Sequence, residues 1–168
     1  MHARVLTIPL LIALALMNGC SERRFKQNSA SAMSPTIAPN ETVIANMSAF
    51  KNNRPQRWDV VVFHPPQSTL ANPEEFWIMR VVGLPGESLE IREGAIFIDG
   101  VRETQPKAIS TIRFSRETAK TTITAVEYPY KIPADGYFLL GDNVENSYDS
   151  RFWGAIPLQN IEGKVKDK

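Results

Sequence analysis

Acyl chemistry needs a nucleophile, a base beside it and donors for a developing oxyanion, and few side chains of this sequence can supply them. Ser31 and Ser34 lie in the run Ser31-Ala32-Met33-Ser34-Pro35-Thr36. In extended chain, neighbouring side chains face opposite ways, so Ser34 shares a side with Ala32 and Ser31 points away. Neither serine has an evident base, and Arg80 stays protonated; both read as turn or strand hydroxyls bonded to backbone. Asp142, Asp149 and Arg151 cluster near Ser147 and Ser150, but an aspartic dyad needs both carboxylates at one locus, which the spacing does not provide. They read as structural, as do the turn-makers Gly83, Pro85, Gly86, Gly141 and Gly154. The histidines are His2 and His64, and the one cysteine is Cys20. His64, after Val60 to Phe63 and before Pro65-Pro66, reads as an exposed strand end. One histidine and one cysteine make no ordinary zinc site, so neither metal nor cofactor is expected.

Three segments in order carry a resemblance. The first is Ala32-Met33-Ser34-Pro35-Thr36. The second is Trp58 to Phe63 followed by Phe76 to Glu87, with Met79-Arg80-Val81-Val82-Gly83-Leu84-Pro85-Gly86-Glu87. The third is Gly141-Asp142-Asn143-Val144-Glu145-Asn146-Ser147-Tyr148-Asp149-Ser150-Arg151-Phe152-Trp153-Gly154. Together they resemble the bacterial type I signal peptidases, serine endopeptidases with a Ser/Lys pair. The family patterns are Ser-Met-x-Pro-Thr, Lys-Arg-Val-x-Gly-x-Pro-Gly-Asp and Gly-Asp-Asn-x-x-x-Ser-x-Asp-Ser-Arg-x-x-Gly. The third fits at every fixed position.

The resemblance implies a serine at position 32 and a lysine at position 79, and this chain has neither. Ala32 cannot attack, and the Met79 thioether has no useful basicity. The oxyanion-assisting serine of some members corresponds to Ala30. Ser147 matches the serine that orients the lysine and so loses its partner; Asp149 and Arg151 match a scaffold pair. Methionine has nearly the length of lysine and is unbranched, so it fills the same channel without desolvating an ammonium group. The site is expected to be well packed and chemically silent. Three functions follow as expectations: a non-catalytic relative that binds extended peptides or preproteins, or regulates an active paralogue; an active peptidase with relocated groups; and a structural envelope lipoprotein.

These residues must be held by strands. Thr42 to Ala45, Val60 to Phe63, Phe76 to Val82, Ser88 to Ile91, Ala95 to Ile98 and Tyr137 to Leu140 are rich in β-branched and aromatic residues. Pro85-Gly86, Asp99-Gly100 and Asp135-Gly136 supply turns between them. The fold class is all-β and mostly antiparallel, with a domain over 31–168. A charged, threonine-rich stretch over 91–133, with a strand expected at Thr121 to Glu127, forms a small inserted subdomain or long hairpin. Ser21 to Ser29 is polar and aperiodic and reads as a tether.

Arg4 precedes an apolar run, Val5 to Leu16, closed by Met17-Asn18-Gly19-Cys20. The run is shorter than the roughly 20 residues that span a bilayer. It suits a secretory signal, and Cys20 after Gly19 resembles a bacterial lipobox, which implies lipidation at Cys20. An uncleaved anchor and a plain secretory signal are the other readings. The anchor places Arg23, Arg24 and Lys26 outside, against the positive-inside tendency. The expected location is the bacterial cell envelope, membrane-attached, with the domain on the extracytoplasmic side. Net charge is +1, without a basic stripe interleaved with aromatics, so no nucleic-acid partner is expected.

Overall fold

The computed structural model describes residues 21–26, 32–66, 75–115 and 126–168. Cys20, Ala30, Ser31 and most of the strand expected at Thr121 to Glu127 lie outside these residues. Strands β1 (Glu22–Lys26), β2 (Thr42–Asn46), β3 (Val60–Phe63), β4 (Trp77–Gly83), β9 (Gly136–Leu140), β10 (Ile156–Pro157) and β11 (Ile161–Val165) form a seven-stranded sheet. Its order is β1-β2-β11-β3-β4-β9-β10. Strands β5 (Ser88–Arg92), β6 (Ala95–Ile98), β7 (Val101–Arg102) and β8 (Tyr130–Lys131) form a second sheet, ordered β7-β6-β5-β8. All strand pairings are antiparallel. The expectation of an all-β, mostly antiparallel fold holds, in two sheets.

The central strands are apolar on both faces because both faces are covered. Along β9, Tyr137 and Leu139 enter one core cluster with Val61, Met79 and Val81. Phe138 and Leu140 enter the other with Val82, Leu89 and Ile132. This is the period-2 alternation of a strand with a core on each side. Gly83 ends β4 where the sheets meet; a Cβ there would lie 2.9 Å from Leu89 Cδ1 and from Phe138 Cβ. Asp99 and Gly100 join β6 to β7 with φ of 48° and 81°, the left-handed pair that a tight hairpin turn requires.

Two expectations need correction. The supposed tether contains β1, paired with β2 from Glu22↔Asn46 to Lys26↔Thr42. Its one large apolar residue, Phe25, is buried and packs edge-on against Phe76 at 5.3 Å; a single inward side chain is too weak a pattern to announce a strand. His64 is half-buried, not exposed. Its ring lies 4.2 Å from that of Phe76, and its backbone N–H donates to Asn160 O. Among the described residues, no helix is long and apolar enough to cross a membrane.

Candidate active site

The alternation along β4 sends Met79 to one face and Arg80 to the other. Met79 is 3% exposed and pairs with Val61 on β3. On its other side β4 pairs with β9, Arg80 opposite Leu140. Continuing that register by one residue sets Met79 opposite Gly141. Gly141 has the space for nothing larger: a Cβ there would meet the Ser147 hydroxyl, and would lie 2.6 Å from Ala32 O and from Ser147 Cβ. Ala32, Met79 and Ser147 therefore converge around one glycine, as the three sequence segments require. The Asn143 N–H donates to Ala32 O at 2.9 Å, fastening the third segment to the first.

The residues before Pro35 are not extended. Met33 O accepts from the Ile37 N–H at 2.9 Å, so residues 32–36 form a turn around the buried Met33. The strand-alternation argument for Ser34 thus fails. Ser34 and Pro35 instead line a cleft of about 430 Å³ with Asp142, Asn143 and Arg113.

On the face opposite Met79, Arg80 donates to both oxygens of Asp142, Nε to Oδ1 at 2.8 Å and Nη2 to Oδ2 at 2.6 Å. Thr36 Oγ1 also donates to Asp142 Oδ2. Arg80 Nη1 donates to the Trp58 carbonyl at 2.8 Å, and Trp58 has a left-handed φ of 74°. One buried cation thus ties the three segments together. This network is absent from the sequence reading, although an arginine inside the apolar run Ile78 to Val82 is its signal, since a buried charge needs a partner.

The third segment is scaffold. Asp149 caps helix α1 (Ser150–Trp153) and accepts from the Arg151 and Gly141 N–H groups. Arg151 Nε and Nη2 grip the same carboxylate at 2.7 and 2.9 Å. Arg151 Nη1 also donates to the Ser115 carbonyl, and Nη2 to the carbonyls of Val144 and Ser147, which share its second hydrogen. Ser150 Oγ accepts from the Leu139 N–H. Each aspartate is committed to its own arginine, so the two carboxylates form no dyad. Gly83, Pro85 and Gly86 turn the chain between the sheets, Gly86 with φ of 80°.

Ser147 is different. Its hydroxyl is buried and, among the described residues, has no hydrogen-bond partner. A buried orphan hydroxyl costs about 1–3 kcal/mol. Met79 offers it no nitrogen, and no described base stands beside Ala32. Among the described residues no cluster suits a metal ion.

A family model described as "Signal peptidase, peptidase S26" matches residues 2–167. The chain is 34% identical to a signal peptidase I of Leptolyngbya laminosa, over 96% of this chain and 75% of that protein. It is 29% identical to a signal peptidase I of Bacillus caldolyticus, over 80% of this chain and 72% of that one. It also resembles the crystal structure of a signal peptidase I from Enterococcus faecalis at a TM-score of 0.52 and 29% identity. That match covers 68% of this chain and 98% of the other.

Proposed function

From a chain that belongs to the signal peptidase S26 family, yet carries Ala32 and Met79 where its reaction needs a hydroxyl and an amine, we propose a non-catalytic peptide-binding protein of the cell envelope. One observation carries this reading: the buried Ser147 hydroxyl has no partner at the point where Ala32 and Met79 converge. The frame around that point is complete, with Arg80–Asp142 and Arg151–Asp149 both paired. An intact frame around a silent centre favours retained binding over retained turnover.

The ligand is an extended segment with small side chains, such as the end of a signal peptide in a preprotein, bound by strand addition. The protein holds such segments or withholds them from an active signal peptidase paralogue. Membrane attachment runs through a lipid on Cys20, with the domain on the extracytoplasmic side.

The test is a titration of the full chain with a fluorescent signal-peptide substrate, with cleavage followed in parallel. Saturable binding without cleavage is expected. A32S/M79K is expected to cleave, and A32S or M79K alone is not. Cleavage by the unaltered protein, abolished by changing Ser31 or Ser34, would refute the reading. Absence of saturable binding would leave a purely structural envelope protein.

A further inference from the structure

The cleft beside Ser34 carries two charges that the frame of the site does not employ. Its walls include Ser34, Thr111, Arg113, Asn143 and Glu145. Asp142, also on the wall, is committed to Arg80. Arg113 and Glu145 are exposed, and neither forms an ion pair among the described residues. Arg113 is nonetheless held in place. Its neighbours Ile112 and Phe114 are buried. Ile112 O accepts from Gln105 Nε2 at 3.0 Å, and Ser115 O accepts from Arg151 Nη1 at 3.1 Å. Through Arg151 the segment is joined to the same frame. The Arg113 stem lies over the β5–β6 turn, where Gly94 leaves it room: a Cβ on Gly94 would stand 3.3 Å from Arg113 Cδ. Behind it stand Glu93 and Arg92, the second paired with Glu90. The guanidinium is thus a seated cation on the cleft wall, and less side-chain entropy is lost when it takes a partner.

We propose that Arg113 binds a carboxylate of the bound peptide, just past the small side chains held at Ala32 and Met79. The inference rests on the peptide binding proposed above and names the ligand more narrowly. Position argues for it. Ser34 follows Ala32 by two residues, and the Asn143 N–H holds Ala32 O, so the cleft borders the centre. A chain leaving the centre on this side meets Arg113. The planar guanidinium takes both oxygens of a carboxylate, and the hydroxyls of Ser34 and Thr111 supply further donors on the same walls. The carboxylate has two sources. One is the terminus of a peptide that ends at its small residues; the other is an acidic side chain of a longer chain that runs on through the cleft. Glu145 opposes either across the same cleft and so weakens the contact. A direct Arg113–Glu145 pair needs no ligand; it is separable by experiment, because E145Q frees the cation.

The experiment measures binding to the full chain by fluorescence anisotropy, using fluorescein-labelled apolar peptides that reach Ala-Ser-Ala. One pair stops there, as the free acid or as the amide. A second pair continues with Ala-Asp-Asp or Ala-Asn-Asn, both amide-capped. In at least one pair the carboxylate form is expected to bind about fivefold tighter than its neutral partner, the upper end for an exposed ion pair. Which pair does so identifies the source. R113M keeps the stem over Gly94 and is expected to remove that difference while leaving the neutral peptides unchanged. E145Q is expected to enlarge it. Thermal unfolding of each variant confirms the fold. Neutral and carboxylate forms that bind alike, or a difference that survives R113M, overturn the role of Arg113 while leaving peptide binding standing. A difference that E145Q leaves untouched places the carboxylate outside the cleft and overturns that role as well. If no peptide binds saturably, peptide binding and the carboxylate site fall together.

Discussion

Arg80 and Asp142 meet through two parallel hydrogen bonds across the β4–β9 pair, with side chains 3% and 0% exposed. Arg80 lies opposite Leu140 in the register, so Asp142, two residues on, projects from the same face. Removing one member leaves the other charge buried and alone, which costs about 3–5 kcal/mol. R80M is therefore expected to lose about that much stability in urea unfolding. R80M/D142L is expected to recover part of the loss, because two apolar side chains leave no unpaired charge. A loss below about 1 kcal/mol for R80M would show that the pair does not hold the three segments together.

Tyr137 gives a pH signature of the same core. Burial pushes its phenol above the ordinary value of 10.0, and Arg54, which bonds to it, pulls part of the way back. In an absorbance titration, its ionisation is expected to begin above 10.0, and R54Q is expected to move it higher. The folded state holds this proton more tightly than the unfolded chain. Its contribution to stability is complete below about 10 and is lost as pH climbs through the raised value. Ionisation of all four tyrosines at one ordinary value, with the fold intact, would contradict the burial.

What was legible in the sequence follows from how much local pattern each element carries. Val60–Phe63 and Ala95–Ile98 match their expected bounds, because dense β-branched runs between turn residues leave little freedom. β1 was missed because four of its five residues are charged and its pairing is with β2, a tertiary fact. The grouping of Asp149 with Arg151 was legible from the resemblance. Arg80 with Asp142, 62 residues apart, was not; the lone arginine in an apolar strand announces the need for a partner but cannot name it. The turn at residues 32–36 was missed because Ser and Pro suit both turn and extended chain.

Gly141 and Gly86 separate two reasons for a glycine. Gly86 has φ of 80° and open space around its missing Cβ, so G86A is expected to cost only the left-handed penalty of about 1–2 kcal/mol. In G141A the new methyl meets Ala32 O and the Ser147 side chain, and a carbonyl held by Asn143 cannot step aside. Overpacking of that kind costs about 1–3 kcal/mol. S147G in the G141A background is expected to return part of it in thermal unfolding, and S147G with G86A is expected to return nothing. Identical behaviour of the two alanine variants toward S147G would separate Ser147 from the site.

M79K alone tests whether the base position remains a channel of the right shape. The lysine stem should follow the path of Met79, which is 3% exposed and packed in the core cluster with Val61, Val81 and Leu139. Its amine would stand near the partnerless Ser147 hydroxyl, with no carboxylate at hand, because Asp142 and Asp149 are held by Arg80 and Arg151. Burial disfavours the charged amine and lowers its pKa below the ordinary lysine value of about 10.4. The unfolded chain then binds the proton more tightly than the folded one, so stability rises with pH across the interval between the two values. M79K is expected to be destabilised most at neutral pH and to approach the unaltered protein as pH nears 10. Its Ser147→Ala derivative should show a larger penalty than the same change in the parent, because only in M79K does the hydroxyl have an amine to bond. A deficit independent of pH and of Ser147 would mean that the lysine leaves the channel for solvent.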